Sequence, residues 1–366
     1  MNTFTIDDYF TYMAERGLGV GETVGVMPDA LTEDTLARLM LTALPNGAGH
    51  SSLGRFATEH GAAGALRLVL DDLPGMNKVF QLGLVDVAQG ADVAPAKAVA
   101  RRVADVVAAA GEGRFELLTP EHQFWPLALA DLGHERPFVL FAQGDLEALS
   151  GWRKTTLVGA RAATGYGEHV AMEFAAALAA RDQVVVNGGA YGIEGMAIRG
   201  AMASGGKVLV VLPGGVTRRY PSGHEALFER VQTTGGVLVS ECMPDQAPTK
   251  QRFMNAGRLK AALSHSTIVV EAGTRSGALH VAQRAKAMGN FVGAIPGPIT
   301  SAASTGCHQL IASGDAVLVT HASDIPAVAS DPTIGPMQSR ELRDAVVTRM
   351  PAHDAPTRTT PASRQM

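Results

Sequence analysis

The feature that most restricts the fold of this chain is a regular alternation between residues 155 and 320. Short apolar segments rich in Val alternate there with longer segments of helical periodicity. In the segment 165–181, Val170, Phe174 and Leu178 recur every four residues, which places them on one face of a helix. The predicted strands are Thr155–Gly159, Gln183–Val186, Lys207–Leu212, Val237–Ser240, Thr267–Glu271 and Phe291–Ile295. The predicted helices are Gly165–Arg181, Ile193–Ser204, Glu225–Thr233 and Gly277–Met288.

Strands that are continuous apolar runs are buried on both faces, and when helices separate them they are typical of a parallel sheet. We therefore predict an α/β fold with a doubly wound, mostly parallel Rossmann-like sheet. Residues 1–110 lack this alternation and contain helix-like segments, Thr32–Leu44 and Pro95–Ala110, so we expect an N-terminal helical domain. The Rossmann-like domain is predicted over residues 111–322. Residues 323–366, rich in Pro, Thr, Ser and Arg, are predicted to form a mostly disordered tail.

Composition excludes several classes of protein. The net charge of −4 argues against a surface coated with positive charge, so any nucleic-acid site must be a local patch. No long uncharged apolar run predicts a membrane span, and the N-terminal sequence lacks the pattern of a signal peptide, so we expect a cytoplasmic protein. Cys242 and Cys307 have no metal-binding spacing, and we expect reduced, buried thiols and no metal site.

Three glycine-containing loops follow predicted strands, and each leads towards a helix. They are Val158–Arg161, Asn187–Ile193 and Pro213–Pro221. Ligands of doubly wound sheets bind at the carboxyl ends of the strands, where free N–H groups of helix N-termini favour anions. The loops therefore predict a phosphate-binding edge, and the alternative for each is a tight turn without a ligand. None matches G-x-x-x-x-G-K-S/T, and the first lacks G-x-G-x-x-G, so we expect neither ATP hydrolysis nor a bound cofactor.

The distribution of charge indicates which anion this edge would bind. Two windows contain basic residues and no acidic one: 195–224, with Arg199, Lys207, Arg218 and Arg219, and 247–264, with Lys250, Arg252, Arg258 and Lys260. Phe253 lies inside the second window. Cations interleaved with an aromatic side chain suit single-stranded nucleic acid, because the cations follow the phosphates and the ring stacks on a base. The alternative is a solvated charged face with Phe253 in the core.

Several motifs between Leu117 and Thr320 resemble the DprA/Smf family of DNA-processing proteins. The matching segments, with the family pattern that each resembles, are Phe138–Asp145 (PPVLYVKGD), Val158–Arg161 (VGSR), Asn187–Glu194 (SGGARGID), Gly214–Pro221 (GGxDxxYP), Ser240–Glu241 (SE), Val269–Ala272 with Arg275–Ala278 (VVEA and SGSL), and Ile295–Pro298 (VPG). The resemblance implies a protein that binds single-stranded DNA, protects incoming strands and helps to load the RecA recombinase. It also implies a homodimer without enzymatic activity.

The resemblance also suggests which residues contact DNA. The Arg161 loop and the loop 188–190 would hold phosphate, as would Lys250, while Phe253 would lie near a base. Arg258 matches the last arginine of the family's FPxRNR motif. The predicted single-stranded DNA site therefore comprises Gly159, Ala160, Arg161, Gly188, Gly189, Ala190, Lys250, Phe253 and Arg258.

Three positions depart from the family pattern. Ala256-Gly257 replaces the Arg-Asn of the RNR motif, Glu194 replaces an aspartate, and Thr217 replaces another. We expect these changes to alter affinity more than fold. The competing interpretation is a nucleotide-binding protein or a phosphoribohydrolase of the same superfamily, which resembles this chain in its glycine loops. Those enzymes carry PGGxGTxxE, but Pro213–Arg219 lacks the Gly-Thr and the catalytic glutamate, so no catalytic residue is assigned.

Overall fold

The computed structural model describes residues 32–44, 51–71, 94–151 and 153–326. The predicted N-terminal helical region is present, with helices α1 (Glu33–Ala43), α2 (Ser51–Asp71) and α3 (Ala94–Gly111). A domain boundary at residue 110 stays a prediction. The disordered tail predicted over 323–366 lies, beyond residue 326, outside the described residues.

The described part of the chain forms one nine-stranded sheet, which confirms the predicted mostly parallel α/β fold. The strands are β1 (Glu116–Leu118), β2 (Leu140–Gly144), β3 (Lys154–Val158), β4 (Val184–Asn187), β5 (Val208–Val211), β6 (Val237–Ser240), β7 (Ser266–Val269), β8 (Phe291–Ala294) and β9 (Val317–Leu318). Their order is β1-β2-β6-β5-β4-β3-β7-β8-β9. The run from β6 to β9 is parallel throughout, whereas β1 and β2 pair antiparallel at one edge.

Helices cover both faces of this sheet. They are α4 (Gly165–Ala179), α5 (Ile193–Ala203), α6 (Glu225–Thr233), α7 (Lys250–Ala262), α8 (Gly277–Ala287) and α9 (Thr305–Ala312). Leu157 and Val185 belong to a core shared with Phe174 of α4, whereas Val186 packs in a second core with Leu259 of α7. Because neighbouring strand residues point to opposite faces, the Val-rich strands are buried on both sides. No helix among these residues is long and apolar enough to span a bilayer.

The order of the strands reverses direction around β3. The chain leaves β3 through α4 to β4 on one side, and it later places β7 on the other side. The loops that follow β3 and β7 therefore diverge at the carboxyl edge of the sheet, and a crevice opens between them. In doubly wound folds this switch point is the usual place for a ligand.

A candidate nucleic-acid cleft at the switch point

A cleft of about 430 Å³ lies at this carboxyl edge. Its walls are the loops after β3 and β4, the middle of α7 and the start of α8. The side chains and loop atoms that line it include Gly159, Ala160, Arg161, Gly188, Ala190, Glu194, Phe253, Met254, Lys260, Ser276 and His280. Its volume is in the range of small-molecule sites, and its walls are mostly apolar with few polar groups.

The rim of the cleft carries a cation and two aromatic rings. The guanidinium carbon of Arg161 lies 4.7 Å from the centre of the Phe253 ring, a cation–π contact. The Tyr220 ring meets Phe253 edge-on, with centroids 5.7 Å apart, and Tyr220 is 37% exposed. Phe253 itself is only half-buried and belongs to none of the core clusters. The ring is therefore a rim residue and not a core residue.

Lys250 lies at the rim end of α7, one turn before Phe253. It is the first residue of the helix, after the N-cap Thr249, whose Oγ1 accepts a hydrogen bond from Arg252 N at 3.3 Å. Both Lys250 and Arg161 are exposed, and neither has a carboxylate within ion-pair distance in the described chain. A lysine at a helix N-terminus adds its charge to the positive end of the helix dipole. This end of the cleft therefore attracts anions.

Two glycines allow the loops after β3 and β4 to pack together. A Cβ on Gly159 would lie 2.5 Å from Cγ1 of Ile193, and a Cβ on Gly192 would lie 2.4 Å from the carbonyl oxygen of Ala160. Gly192 also has φ +69°, and the next residue, Ile193, donates its N–H to that carbonyl at 3.2 Å. These contacts hold the Arg161 loop in place, so the two glycines serve loop packing.

The loop after β4 directs its N–H groups to a carboxylate of the protein. Glu194 Oε2 accepts hydrogen bonds from the N–H groups of Gly188 and Ala190, each at 3.0 Å, and Glu194 Oε1 accepts one from Lys260 Nζ at 2.8 Å. The N–H of Gly189 donates to Oδ1 of Asn187 at 3.0 Å. Burial by itself raises the pKa of Glu194, but Lys260 and the two N–H donors outweigh it and lower this pKa below its usual value. Glu194 is therefore ionised at neutral pH.

Arg258 points into the protein and away from the cleft. Its Nη1 and Nη2 donate to Oε1 and Oε2 of Glu241, each at 2.6 Å, and its Nη2 donates to the carbonyl oxygen of Glu135 at 2.8 Å. The two side chains of this ion pair are 5% and 3% exposed. Burial by itself lowers the pKa of Arg258, but Glu241 raises it on balance, so the guanidinium stays charged. This environment differs from the DNA contact that the motif predicts.

The predicted site is thus only partly assembled around the cleft. Six of its members line the cleft: Gly159, Ala160, Arg161, Gly188, Ala190 and Phe253. Gly189 lies beneath the loop against Phe228, Lys250 stands at the rim, and Arg258 is interior. Four further residues were not predicted as members of the site: Glu194, Lys260, Met254 and Tyr220. Tyr220 belongs to a family motif that could have indicated it, but no local pattern links Glu194 to Lys260.

The first basic window does not form one surface. Lys207 precedes β5, at the amino edge of the sheet opposite the cleft, and pairs with Asp145 at 3.1 Å. Arg219 pairs with Glu225 at 2.7 Å. The second window therefore supplies Lys250 to the rim of the cleft, whereas Lys207 and Arg219 of the first window are paired with carboxylates.

Cys242, Cys307 and Glu271 are held in unreactive states. Burial raises the pKa of Cys242 to about 12, with a further contribution from Glu241, and burial raises the pKa of Cys307 to about 11. Both thiols are free and buried, as predicted. Glu271 accepts hydrogen bonds from the N–H and Oγ1 of Thr164, at 2.9 and 2.7 Å. Within the described ranges, no group of three His, Cys, Asp or Glu side chains is placed to hold a metal ion.

Comparison with known proteins identifies relatives over the sheet domain. The family model of DNA recombination-mediator protein A matches residues 116–329. The putative DNA processing protein DprA of Mycobacterium tuberculosis is 48% identical over 222 residues, covering 57% of this chain and 56% of that protein. Protein Smf of Escherichia coli is 37% identical over 212 residues, covering 57% and 55%. The chain thus spans about half the length of these two curated relatives.

Solved structures share the fold. The crystal structure of DNA processing protein A from Streptococcus pneumoniae has a TM-score of 0.60 and 26% identity, and the match covers 80% of this chain and 96% of that one. DNA processing protein A from Helicobacter pylori, whose structure is described for its single-stranded DNA binding mode, has a TM-score of 0.52 and 24% identity over 63% of this chain. The second likeness is evidence for the fold alone.

Proposed function

The chain belongs to the DNA recombination-mediator protein A family, the DprA/Smf proteins, and from this membership we propose that it binds single-stranded DNA at the rim of the cleft. The finer role is protection of incoming or recombining strands in the cytoplasm and assistance in loading RecA. The observation that carries the proposal is the grouping of Arg161, Lys250 and Phe253. Arg161 contacts the half-buried Phe253 ring, and Lys250 lies one helical turn before that ring; both cations are exposed and have no carboxylate partner among the residues that the structure describes.

Each of the three residues has its own part in binding. Lys250 and Arg161 contact backbone phosphates, and Phe253 stacks on a base. In the free protein the Arg161 guanidinium covers the ring at 4.7 Å. A strand that brings a phosphate to Arg161 draws the guanidinium off the ring, and the exposed face then receives a base. Tyr220, which already contacts Phe253 edge-on, offers a second surface for the neighbouring base.

This arrangement favours single strands over duplexes. In a duplex the bases are paired and stacked on one another, so a ring at the protein surface reaches no base face without unstacking the helix. Unstacking costs about a few kcal/mol per step, whereas the stacking of a free base on an aromatic ring contributes about 1–3 kcal/mol. The phosphate contacts alone would bind either form.

We propose further that the cleft performs no chemistry on the strand. A general base or nucleophile needs a group that is free to react at neutral pH. Glu241 and Glu194 are each engaged by a cation, and Glu271 is engaged by Thr164. The two thiols have raised pKa values. The states of these three carboxylates and two thiols support a binding role.

The test is a titration with labelled single-stranded and double-stranded oligonucleotides at several salt concentrations. The wild-type protein should prefer the single strand, with affinity that falls as salt rises. Lys250→Ala should weaken binding to every sequence and reduce the slope of log affinity against log salt by about 0.7, the value for one lost phosphate contact. Phe253→Leu should weaken binding by roughly 1–3 kcal/mol and leave the salt slope unchanged, because stacking releases no counterions.

Lys207→Ala is the matched control for charge. It removes one lysine charge at the opposite edge of the sheet, so it should leave the salt slope near that of the wild type. Equal affinity of the wild type for duplex and single strand would contradict the proposal. So would equal slopes for Lys250→Ala and the wild type.

The partner roles are tested separately. A homodimer is supported by the exposed edge strand β9, where Val317 and Leu318 are 42% and 49% exposed, since such an edge can pair with another chain. Val317→Lys should then shift the sedimentation of the protein towards the monomer. For the RecA role, the protein should speed assembly of RecA filaments on coated single strands, and Lys250→Ala should reduce that effect.

A further inference from the structure

We propose that Glu194 is a resident anion that excludes nucleotide phosphates from the cleft, and that it thereby restricts the site to polymeric strands bound at the rim. The cleft has the position, volume and apolar walls of a nucleotide site in a doubly wound fold. What it lacks is a free phosphate position, because a carboxylate of the protein occupies it. This makes Glu194 a specificity-determining residue.

The donors around Glu194 are those that a phosphate would use. Two N–H groups of the same loop converge on Oε2, from Gly188 and Ala190, and the Lys260 ammonium donates to Oε1. All four residues line the cleft. Loop N–H groups combined with a lysine form an anion-binding arrangement. Glu194 is 5% exposed and fills it.

The neighbouring anion position at the switch point is filled in the same way. Helix α4 begins after the N-cap Thr164, and Glu271 accepts both the N–H and the hydroxyl of that residue. A Cβ on Gly167, in the first turn, would lie 2.5 Å from Glu271 Oε2, so the carboxylate fits closely against the helix start. The loop that precedes α5 and the start of α4 therefore each bind an internal carboxylate, Glu194 and Glu271.

A phosphate cannot share the place of Glu194. It would bring like charge within a few ångströms of a buried carboxylate, and displacing that carboxylate would leave it without its ion pair in the protein interior. Glu194 also competes as an intramolecular ligand, so a free nucleotide has to overcome a high effective concentration of carboxylate. The low pKa of Glu194 keeps this barrier in place at neutral pH. The rim cations Arg161 and Lys250 lie outside this arrangement and remain available to strand phosphates.

The experiment measures binding of inorganic phosphate and of AMP to the full chain by calorimetry and by thermal shift. The wild type should show no saturable binding of either probe at the cleft. Glu194→Ala removes the carboxylate and leaves the N–H groups and Lys260 facing a void. Its affinity for phosphate should exceed that of the wild type by at least about tenfold, as expected for one charge-assisted hydrogen bond.

The matched control is the double variant Glu194→Ala with Lys260→Met, which keeps the void and removes the cation. The double variant should bind phosphate no more tightly than the wild type. If Glu194→Ala does not fold, Glu194→Gln decides, since it keeps the side-chain volume and removes the charge; it should gain phosphate binding to a smaller extent. Phosphate binding by the wild type that Lys260→Met abolishes would overturn the inference. So would a folded variant without a gain.

The restriction to polymeric strands rests on the proposed function, whereas the exclusion of phosphate by Glu194 can be tested apart from strand binding. The phosphate titration and the oligonucleotide titration are separate measurements on the same proteins. If the wild type fails to bind single strands while Glu194→Ala gains phosphate, the proposed function is wrong and the role of Glu194 stands. If single strands bind at the rim and the Glu194 variants gain no phosphate binding, the proposed function stands and the role of Glu194 is wrong.

Discussion

Replacing Arg258 by methionine removes the guanidinium that joins Glu241 to the carbonyl oxygen of Glu135. In the native protein both charged side chains of this ion pair are almost fully buried, and two parallel hydrogen bonds of 2.6 Å connect them. Methionine fills much of the volume of the arginine stem but donates no hydrogen bond. The variant therefore leaves Glu241 as an unpaired carboxylate inside the protein.

The structure sets the expected size of the effect. Removing one partner of a buried ion pair costs about 3–5 kcal/mol, because the remaining charge has no compensation. The carbonyl oxygens of Glu135 and Asn255 lose donors as well, at 2.8 Å each. For a domain of this size, 1 kcal/mol shifts Tm by about 2–4 °C, so Tm should fall by roughly 6–20 °C.

The assay is equilibrium unfolding of Arg258→Met beside Glu241→Leu and the double variant. A buried ion pair replaced entirely by apolar side chains is often neutral. The double variant should therefore recover most of the loss of Arg258→Met, and the double-mutant cycle should show a large coupling energy. Strand affinity per folded molecule should stay near that of the wild type in all three.

The opposite result would refute this reasoning. If Arg258 contacts DNA, as its place in the family motif suggests, Arg258→Met should keep the native Tm and lose affinity with a shallower salt dependence. Loss of stability that the double variant does not recover would also contradict it, since the loss would then come from packing and not from the unpaired carboxylate.

Three further outcomes are expected. Burial lowers the pKa of Lys154 from its ordinary value of 10.5 to about 8 in the folded protein. Between these two pH values the unfolded chain binds more protons than the folded protein, so Lys154 makes the free energy of unfolding rise with pH by up to about 1.4 kcal/mol per pH unit. Denaturant titrations of Lys154→Met at several pH values should show that this contribution is missing. Cys242 and Cys307 should resist thiol reagents at pH 8 in the native protein and react only at the rate of unfolding, as mass spectrometry over time would measure; rapid labelling without unfolding would contradict this. Gly192→Ala should lower Tm and weaken strand binding together, because its Cβ would displace the carbonyl oxygen of Ala160; unchanged values would show that the loop adjusts freely.

The strands and helices of the sheet domain follow closely from local sequence. The predicted strand Val237–Ser240 and the predicted helix Glu225–Thr233 coincide with β6 and α6. The predicted strand Thr155–Gly159 differs from β3 by one residue at each end. The reason is that burial on both faces demands a continuous apolar run, and a half-buried helix demands an apolar side chain at each turn. Both demands can be recognised within a few neighbouring residues.

The loops that line the cleft could likewise be predicted from the sequence. Glycine loops after β3 and β4 mark the carboxyl edge, and strand order places them together once the fold is known. The position of Phe253 could not be predicted from the sequence. The local sequence around an aromatic residue between basic residues is the same whether its ring packs in the core or lies at the rim of a cleft. Only the contacts of the Phe253 ring with Arg161 and Tyr220 distinguish the two positions.

The basic window of α7 shows most clearly what the sequence by itself determined and what only the tertiary structure decided. The sequence determined that the window has positive charge, no acidic residue and helical neighbours. It did not determine that Lys250 faces solvent while Arg258 and Lys260 face inward. Their partners, Glu241 and Glu194, are 17 and 66 residues away along the chain. Electrostatic pairing acts through space and leaves no local periodicity, so the division of this helix into a binding end and a structural end arises only when the sheet brings distant carboxylates to its side.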